Sequence, residues 1–156
     1  MAILNRRFTT RAILALLLGS LGGCATGPGG VRLLNEGSAQ LGLAHCPARP
    51  SCVSSSDAGE IHRIAPLKFE GDGAAALQRV RKILVGMPRT KIIDIDDHYL
   101  HATQASAVFR FADDVEFLLD AGNSEFQVRS CARLGFYDFG VNRRRIEQIR
   151  SALSPR

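Results

Sequence analysis

Little in this chain of 156 residues announces a chemistry. There is no phosphate loop, dinucleotide fingerprint, nucleophile elbow or zinc-protease motif, so the enzyme classes that carry those patterns find no support. There is no internal repeat either. With only four cysteines and four histidines, a metal centre lacks enough ligands at regular spacing. His98 and His101 lie three apart around the start of a strand, and strict alternation puts them on opposite faces, against joint metal binding. No cofactor is implied. The close pair Cys46 and Cys52 most simply forms a disulfide across five intervening residues, with Cys131 left free in a strand. Free thiols and a metal site are the alternatives. His45 and His62 flank the cysteine loop, but no local signature of a catalytic cysteine accompanies them.

Past residue 23 no apolar run is long enough to cross a membrane. Within the first 23 residues, Arg6, Arg7 and Arg11 precede the apolar run Ala12 to Leu18, itself too short to span a bilayer. The run ends at Leu21-Gly22-Gly23-Cys24, which resembles the lipobox of bacterial lipoproteins. That resemblance implies cleavage before Cys24, acylation of Cys24 and a membrane anchor. An ordinary secretory signal with a chance cysteine is the simpler alternative. Ala25 in place of an aspartate implies transfer to the outer membrane, facing the periplasm, in a two-membrane bacterium. Removing 23 residues from 156 leaves 133, the size of one domain. Three of the 20 Lys and Arg leave with the signal, so 17 basic residues face 15 acidic ones, a formal net charge of +2. The electrostatic case for a nucleic-acid partner disappears.

The expected organisation is a signal peptide over 1–23, a lipidated cysteine and tether over 24–45, and a single domain over 46–156. Residues 25–30 are small and glycine-rich, and 31–44 show no clear period, so both read as linker. The prolines and serines of 47–66 read as irregular loop. A helix follows Asp72 over about 73–85, with Leu77, Val80, Leu84 and Met87 at helical spacing, and stops at Gly86 and Pro88. Thr90 to Ile95 and Tyr99 to Ala105 read as strands. The strongest signal is a hairpin between Val108 and Arg133, where Phe109, Phe111, Val115, Phe117 and Leu119 share one parity. A turn centred on Gly122 and Asn123 sets Phe117 opposite Val128, Leu119 opposite Phe126 and Glu116 opposite Arg129. A last helix covers roughly 142–153 and buries Ile146, Ile149 and Leu153. The predicted class is α+β: an antiparallel four-stranded sheet with two helices packed on one face.

Chemistry, if present, would centre on Asp113-Asp114-Val115-Glu116. By parity Asp114 and Glu116 share the polar face with Arg129 and Arg133, where cross-strand ion pairs account for them. Asp113 has the parity of the phenylalanines and points to the core, where a carboxylate needs a partner. Arg143, Arg144 and Arg145 are the candidates, because three cations in the first turn of a helix oppose its dipole. Their structural use is a clasp between the last helix and the hairpin through Asp113, Asp138 or Glu116. Their functional use is a site for an anionic ligand.

Cys46-Pro47 with Ser51-Cys52-Val53-Ser54-Ser55, Tyr99-Leu100-His101-Ala102, Phe109 to Phe117, and Arg129-Ser130 with Arg133, Gly135, Asp138, Gly140, Asn142, Arg143, Arg145, Ile146 and Glu147 carry a resemblance. Together they resemble the bacterial and plastid family known as domain of unknown function 1499, over about 46–153. The resemblance implies no activity and no catalytic residues, but it sets the cysteine pair, the paired aspartates and the terminal arginines in one design. Ser51 stands where the family pattern has asparagine, and Cys131-Ala132 where it has an alanine-serine-like pair. The expected function is a lipid-anchored, non-catalytic envelope module that binds a protein or anionic ligand around Arg110, Glu116, Arg129 and Arg133. The alternatives are an envelope hydrolase or transferase using Asp113 or Asp114 as acid or base, and a purely structural spacer.

Overall fold

The computed structural model describes residues 31–33 and 41–154. The expected signal peptide and Cys24 lie outside the described residues. Two short strands, β1 (Val31–Leu33) and β2 (Leu41–Leu43), pair antiparallel in the stretch expected to be structureless linker. Then come β3 (Cys52–Ser54), β4 (Leu67–Lys68), α1 (Gly73–Gly86), β5 (Thr90–Ile95), β6 (Tyr99–Ala105), β7 (Ala112–Asp120), β8 (Glu125–Ala132) and α2 (Val141–Leu153).

The hairpin β7–β8 is the centre of the sheet, and its register follows the alternation of the side chains. Phe117 lies opposite Val128, Leu119 opposite Phe126 and Glu116 opposite Arg129. The turn closes on the Asp120 carboxylate, which accepts from the Asn123 backbone N–H at 3.1 Å and the Asn123 side-chain amide at 2.8 Å. β6 pairs along the other side of β7, and β5 along β6.

The sheet has six strands rather than four. The outer edge of β8 would otherwise leave a row of backbone groups without partners. β3 takes one end of that edge and β4 the other. At three and two residues they are too short to display a period of two. A disulfide joins Cys46 to Cys52 at the start of β3, with α-carbons 5.6 Å apart.

Phe117, Phe126, Val128, Val115, Leu100 and Ala102 share one buried cluster with Ala76, Leu77, Val80 and Leu84 of α1 and Ile146 and Ile149 of α2. The Asp72 carboxylate caps α1, accepting from Ala75 N–H at 2.8 Å, an interaction that contributes about 1 kcal/mol. Gly73 opens the helix against the hairpin. A β-carbon there would meet the Leu119 side chain at 3.0 Å, so Leu119 would have to give way by a few tenths of an ångström.

The hairpin is shorter at its start than its parity suggests. β6 ends at Ala105, opposite Ala112, and β7 begins there. Beyond that point the chain turns: Ser106 N–H donates to Phe111 O, the Ser106 hydroxyl accepts from Phe111 N–H, and Arg110 takes a positive φ of 57°. Phe109 and Phe111 are therefore exposed, stacked on each other with ring centres 5.6 Å apart. Alternation reports burial only while a neighbouring strand continues, and here none does.

Candidate functional site

The titratable side chains gather at the end of the sheet where β6 stops, β7 starts and β8 finishes. They form separate sets on the two faces, because β7 alternates through Asp113, Asp114, Val115 and Glu116.

On the face shared with the helices, Asp113 meets Arg145 at 2.6 Å, and both side chains are buried. Arg145 also donates to Gln104 Oε1 at 2.6 Å, to Ser130 Oγ at 2.8 Å and to Asn142 Oδ1. Asn142 passes its amide on to Ser51 O at 3.1 Å and Asp138 Oδ2 at 2.8 Å. A fixed guanidinium fork thus links β6, β7 and β8 to the first turn of α2. Among the described residues Asp138 pairs with no arginine. Its carboxylate accepts from Gly140 N–H at 2.9 Å and Asn142 N–H at 2.8 Å, which puts negative charge at the positive end of α2. Arg143 reaches Ile61 O at 3.3 Å and Arg144 reaches Phe139 O at 2.8 Å.

On the opposite face, Glu116 is fully buried between Tyr99 Oη at 2.8 Å and Arg129 Nη1 at 2.6 Å. Asp114 takes a two-pronged bond from Arg133, at 3.0 and 2.8 Å, and lies 2.8 Å from His101 Nε2. This face was expected to be open. Instead Glu116, Asp114 and His101 are buried, and Leu43 of β2 closes on Tyr99 and Leu118 in a second apolar cluster. Of the residues named for a binding face, only Arg110 and Arg133 are exposed. Arg110 stands on the β6–β7 turn, apart from the ion pairs.

Burial by itself would raise the Asp114 pKa. The hydrogen bonds from His101 and Arg133 outweigh it and hold the carboxyl at about 2, below its ordinary 3.8. The folded chain thereby gains stability that is complete above about pH 4 and lost as pH falls towards 2, on the order of 2 kcal/mol. Asp114→Asn should flatten the dependence of the urea midpoint on pH in that window. An unchanged slope would show that Asp114 contributes nothing to acid sensitivity. Burial raises the Tyr99 pKa, and the Glu116 carboxylate adds to that, so Tyr99 stays a hydrogen-bond donor.

Cys131 lies opposite Cys52 in the β3–β8 register and is buried. Burial pushes its thiol pKa up, against the pull of Arg129 and Arg49. Arg49 donates to Ala132 O at 2.7 Å, tying the disulfide loop to the end of β8. His45 lies 2.7 Å from Asp57, and His62 lies 3.0 Å from Cys52 O. No group of three or more His, Cys, Asp or Glu able to hold a metal occurs among the described residues. Beside the site a cleft of about 370 Å³ opens between Pro50, Val53, Glu60, Ile61, Tyr137, Asp138, Gly140 and Arg143.

Sequence reasoning did not single out Gln104, Ser130, Asn142, Ser51, Tyr99 or His101 as members of these networks. The signal for two of them was present: Gln104 follows the parity of Leu100 and Ala102, and Ser130 that of Phe126 and Val128.

No curated protein and no solved structure matches the chain. The model of one family does, described as protein of unknown function (DUF1499), over residues 42–153. Those residues hold the disulfide, both charged networks and both helices, and the chain belongs to the DUF1499 family of proteins of unknown function.

Proposed function

We propose that this chain is a lipid-anchored protein of the bacterial cell envelope that works by binding and not by catalysis. One observation carries the reading: the carboxylates at this end of the sheet all have structural partners, while five of the ten aromatic residues stand out into solvent beside them. Asp113, Asp114 and Glu116 are ion-paired and Asp138 caps α2. An acid catalyst at neutral pH needs a raised pKa, and Asp114 has a lowered one. Phe109, Phe111, Phe136, Tyr137 and Phe139 are exposed. The contact surface of this reading is accordingly the aromatic end of the domain and not the closed face around Glu116 and Arg129.

The Leu21-Gly22-Gly23-Cys24 sequence supports an acyl anchor, and Ala25 supports the outer membrane. The test is made in cells producing the full chain, fed an alkyne-bearing palmitate, with a photoreactive residue replacing Phe136 or Asn123. The expected outcome is palmitate label that disappears in Cys24→Ala, with cross-links from position 136 and none from 123. Label that persists in Cys24→Ala would refute the anchor, and equal cross-linking from both positions would refute the binding surface.

A further inference from the structure

We infer that the exposed aromatic end of the domain is a second membrane contact, which lays the sheet end-on against an anionic lipid surface. The inference rests on the reading of the chain as a membrane-anchored protein. Two loops build the surface. Residues 106–111 join β6 to β7, and residues 133–140 join β8 to α2. They leave the same end of adjacent strands: Asp113 pairs with Ala132, and Arg133 N–H donates to Ala112 O at 3.2 Å. Phe109 and Phe139 are 73% and 78% exposed. Soluble domains seldom leave so many large apolar side chains together in water without using them.

Shape and charge select the partner. The aromatic side chains sit on projecting loops, and they pair among themselves: Phe109 stacks on Phe111, and Tyr137 meets Phe139 edge-on with ring centres 5.1 Å apart. Such knobs fit the headgroup boundary of a bilayer, where amphipathic and aromatic rings settle. Arg110, Arg143 and Arg144 lie in or beside the same loops, with Arg133 matched by Asp114, against Asp138, whose carboxylate is turned inward to the α2 backbone, and Glu60 at the cleft. Arginine stems lie along apolar surface while their heads reach phosphate, so cations around an apolar tip complement an anionic leaflet. Only 18 positions separate Cys24 from Gly42, a reach of at most about 60 Å. An anchored domain therefore remains close to the lipid, where weak surface affinity suffices.

The protein contains no tryptophan, so a single introduced indole reports its own surroundings. Full chains carrying Phe139→Trp, Phe109→Trp or Ala121→Trp are purified from membranes and reconstituted into vesicles of phosphatidylethanolamine with phosphatidylglycerol. Ala121 is exposed in the β7–β8 turn, at the far end of a nine-residue strand, about 27 Å away. The expected result is blue-shifted emission, quenched by brominated acyl chains, at positions 139 and 109 and water-like emission at 121. The shift should weaken when phosphatidylcholine replaces phosphatidylglycerol. Water-like emission at 139 and 109 in protein that floats with the vesicles overturns the lipid contact while leaving the anchor intact. Blue-shifted emission before vesicles are added means that another part of the chain or a second copy covers the loops, and also overturns it. If the chain is recovered without lipid, the anchor reading fails. The soluble protein is then mixed with the same vesicles, and absence of a shift at 139 and 109 refutes the contact as well.

Discussion

Arg145→Ala should destabilise the fold by about 3–5 kcal/mol, as removal of one member of a buried ion pair does. The substitution leaves Asp113 charged and buried, and withdraws donors from Gln104, Ser130 and Asn142 at once. Arg143→Ala, two positions earlier on α2, is the control. Among the described residues its side chain hydrogen-bonds only the Ile61 carbonyl, at 3.3 Å, and its loss should cost about 0.5 kcal/mol. Urea unfolding of the two proteins reads the difference directly. Equal midpoints would mean that the network is not holding α2 to the sheet. Asp113→Leu combined with Arg145→Met should recover much of the loss, because the main cost of the single change is the stranded carboxylate and not the missing attraction.

Arg129→Ala should be of the same order, about 3–5 kcal/mol, and Arg133→Ala much smaller, about 1 kcal/mol or less. Both arginines answer a carboxylate on the same face of the sheet, so the contrast comes from how deeply each pair is buried and from the partner each carboxylate keeps. Glu116 has no contact with water, and without Arg129 only the Tyr99 hydroxyl remains to it. The Arg133 side chain is 42% exposed, and its partner Asp114 retains His101 when it goes. Thermal or urea unfolding of the two single variants would measure this. Equal losses would show that the depth of the two carboxylates does not decide their dependence on a partner. A double variant at 129 and 133 would in any case confuse folding with binding, so a surface test belongs at Arg110, Arg144 and the exposed aromatics.

The central hairpin was legible because alternation, turn residues and charge matching all point to one register, and a slip of one residue would reverse every side chain. α1 was legible from its cap and its stop. What escaped the sequence escaped for physical reasons. β3 and β4 exist through their pairing with β8 and have no pattern of their own. Phe109 and Phe111 continue the parity of the buried phenylalanines past the point where β6 has ended, so the same alternation that located Phe117 misplaced them. Asp113 on an apolar face pointed to a buried cation, and Arg145 stands 2.6 Å away. Asp138 was read only as a carboxylate in search of an arginine; its spacing of two to Gly140 and four to Asn142 suits a helix cap. The charged face was read as solvated because a strand's two faces are ordinarily one dry and one wet, whereas this sheet carries β2 over the second.

The outer edge of the sheet bears on self-association. β5 is the longest strand with an open side, and an open side invites another copy to dock and extend the ladder. Its register shifts between Ile92 and Asp94, with Ile93 as the bulged, exposed residue, and Lys91 and Asp94 are exposed as well. A bulge twists the strand away from a straight neighbour, and charges on an incoming strand would have to shed their water. Under the proposed anchoring, many copies crowded on a membrane would present these edges to one another at high local concentration. The irregular, charged edge would then let the molecules sit side by side as separate particles, and a surface dense with this protein would not become a fibril.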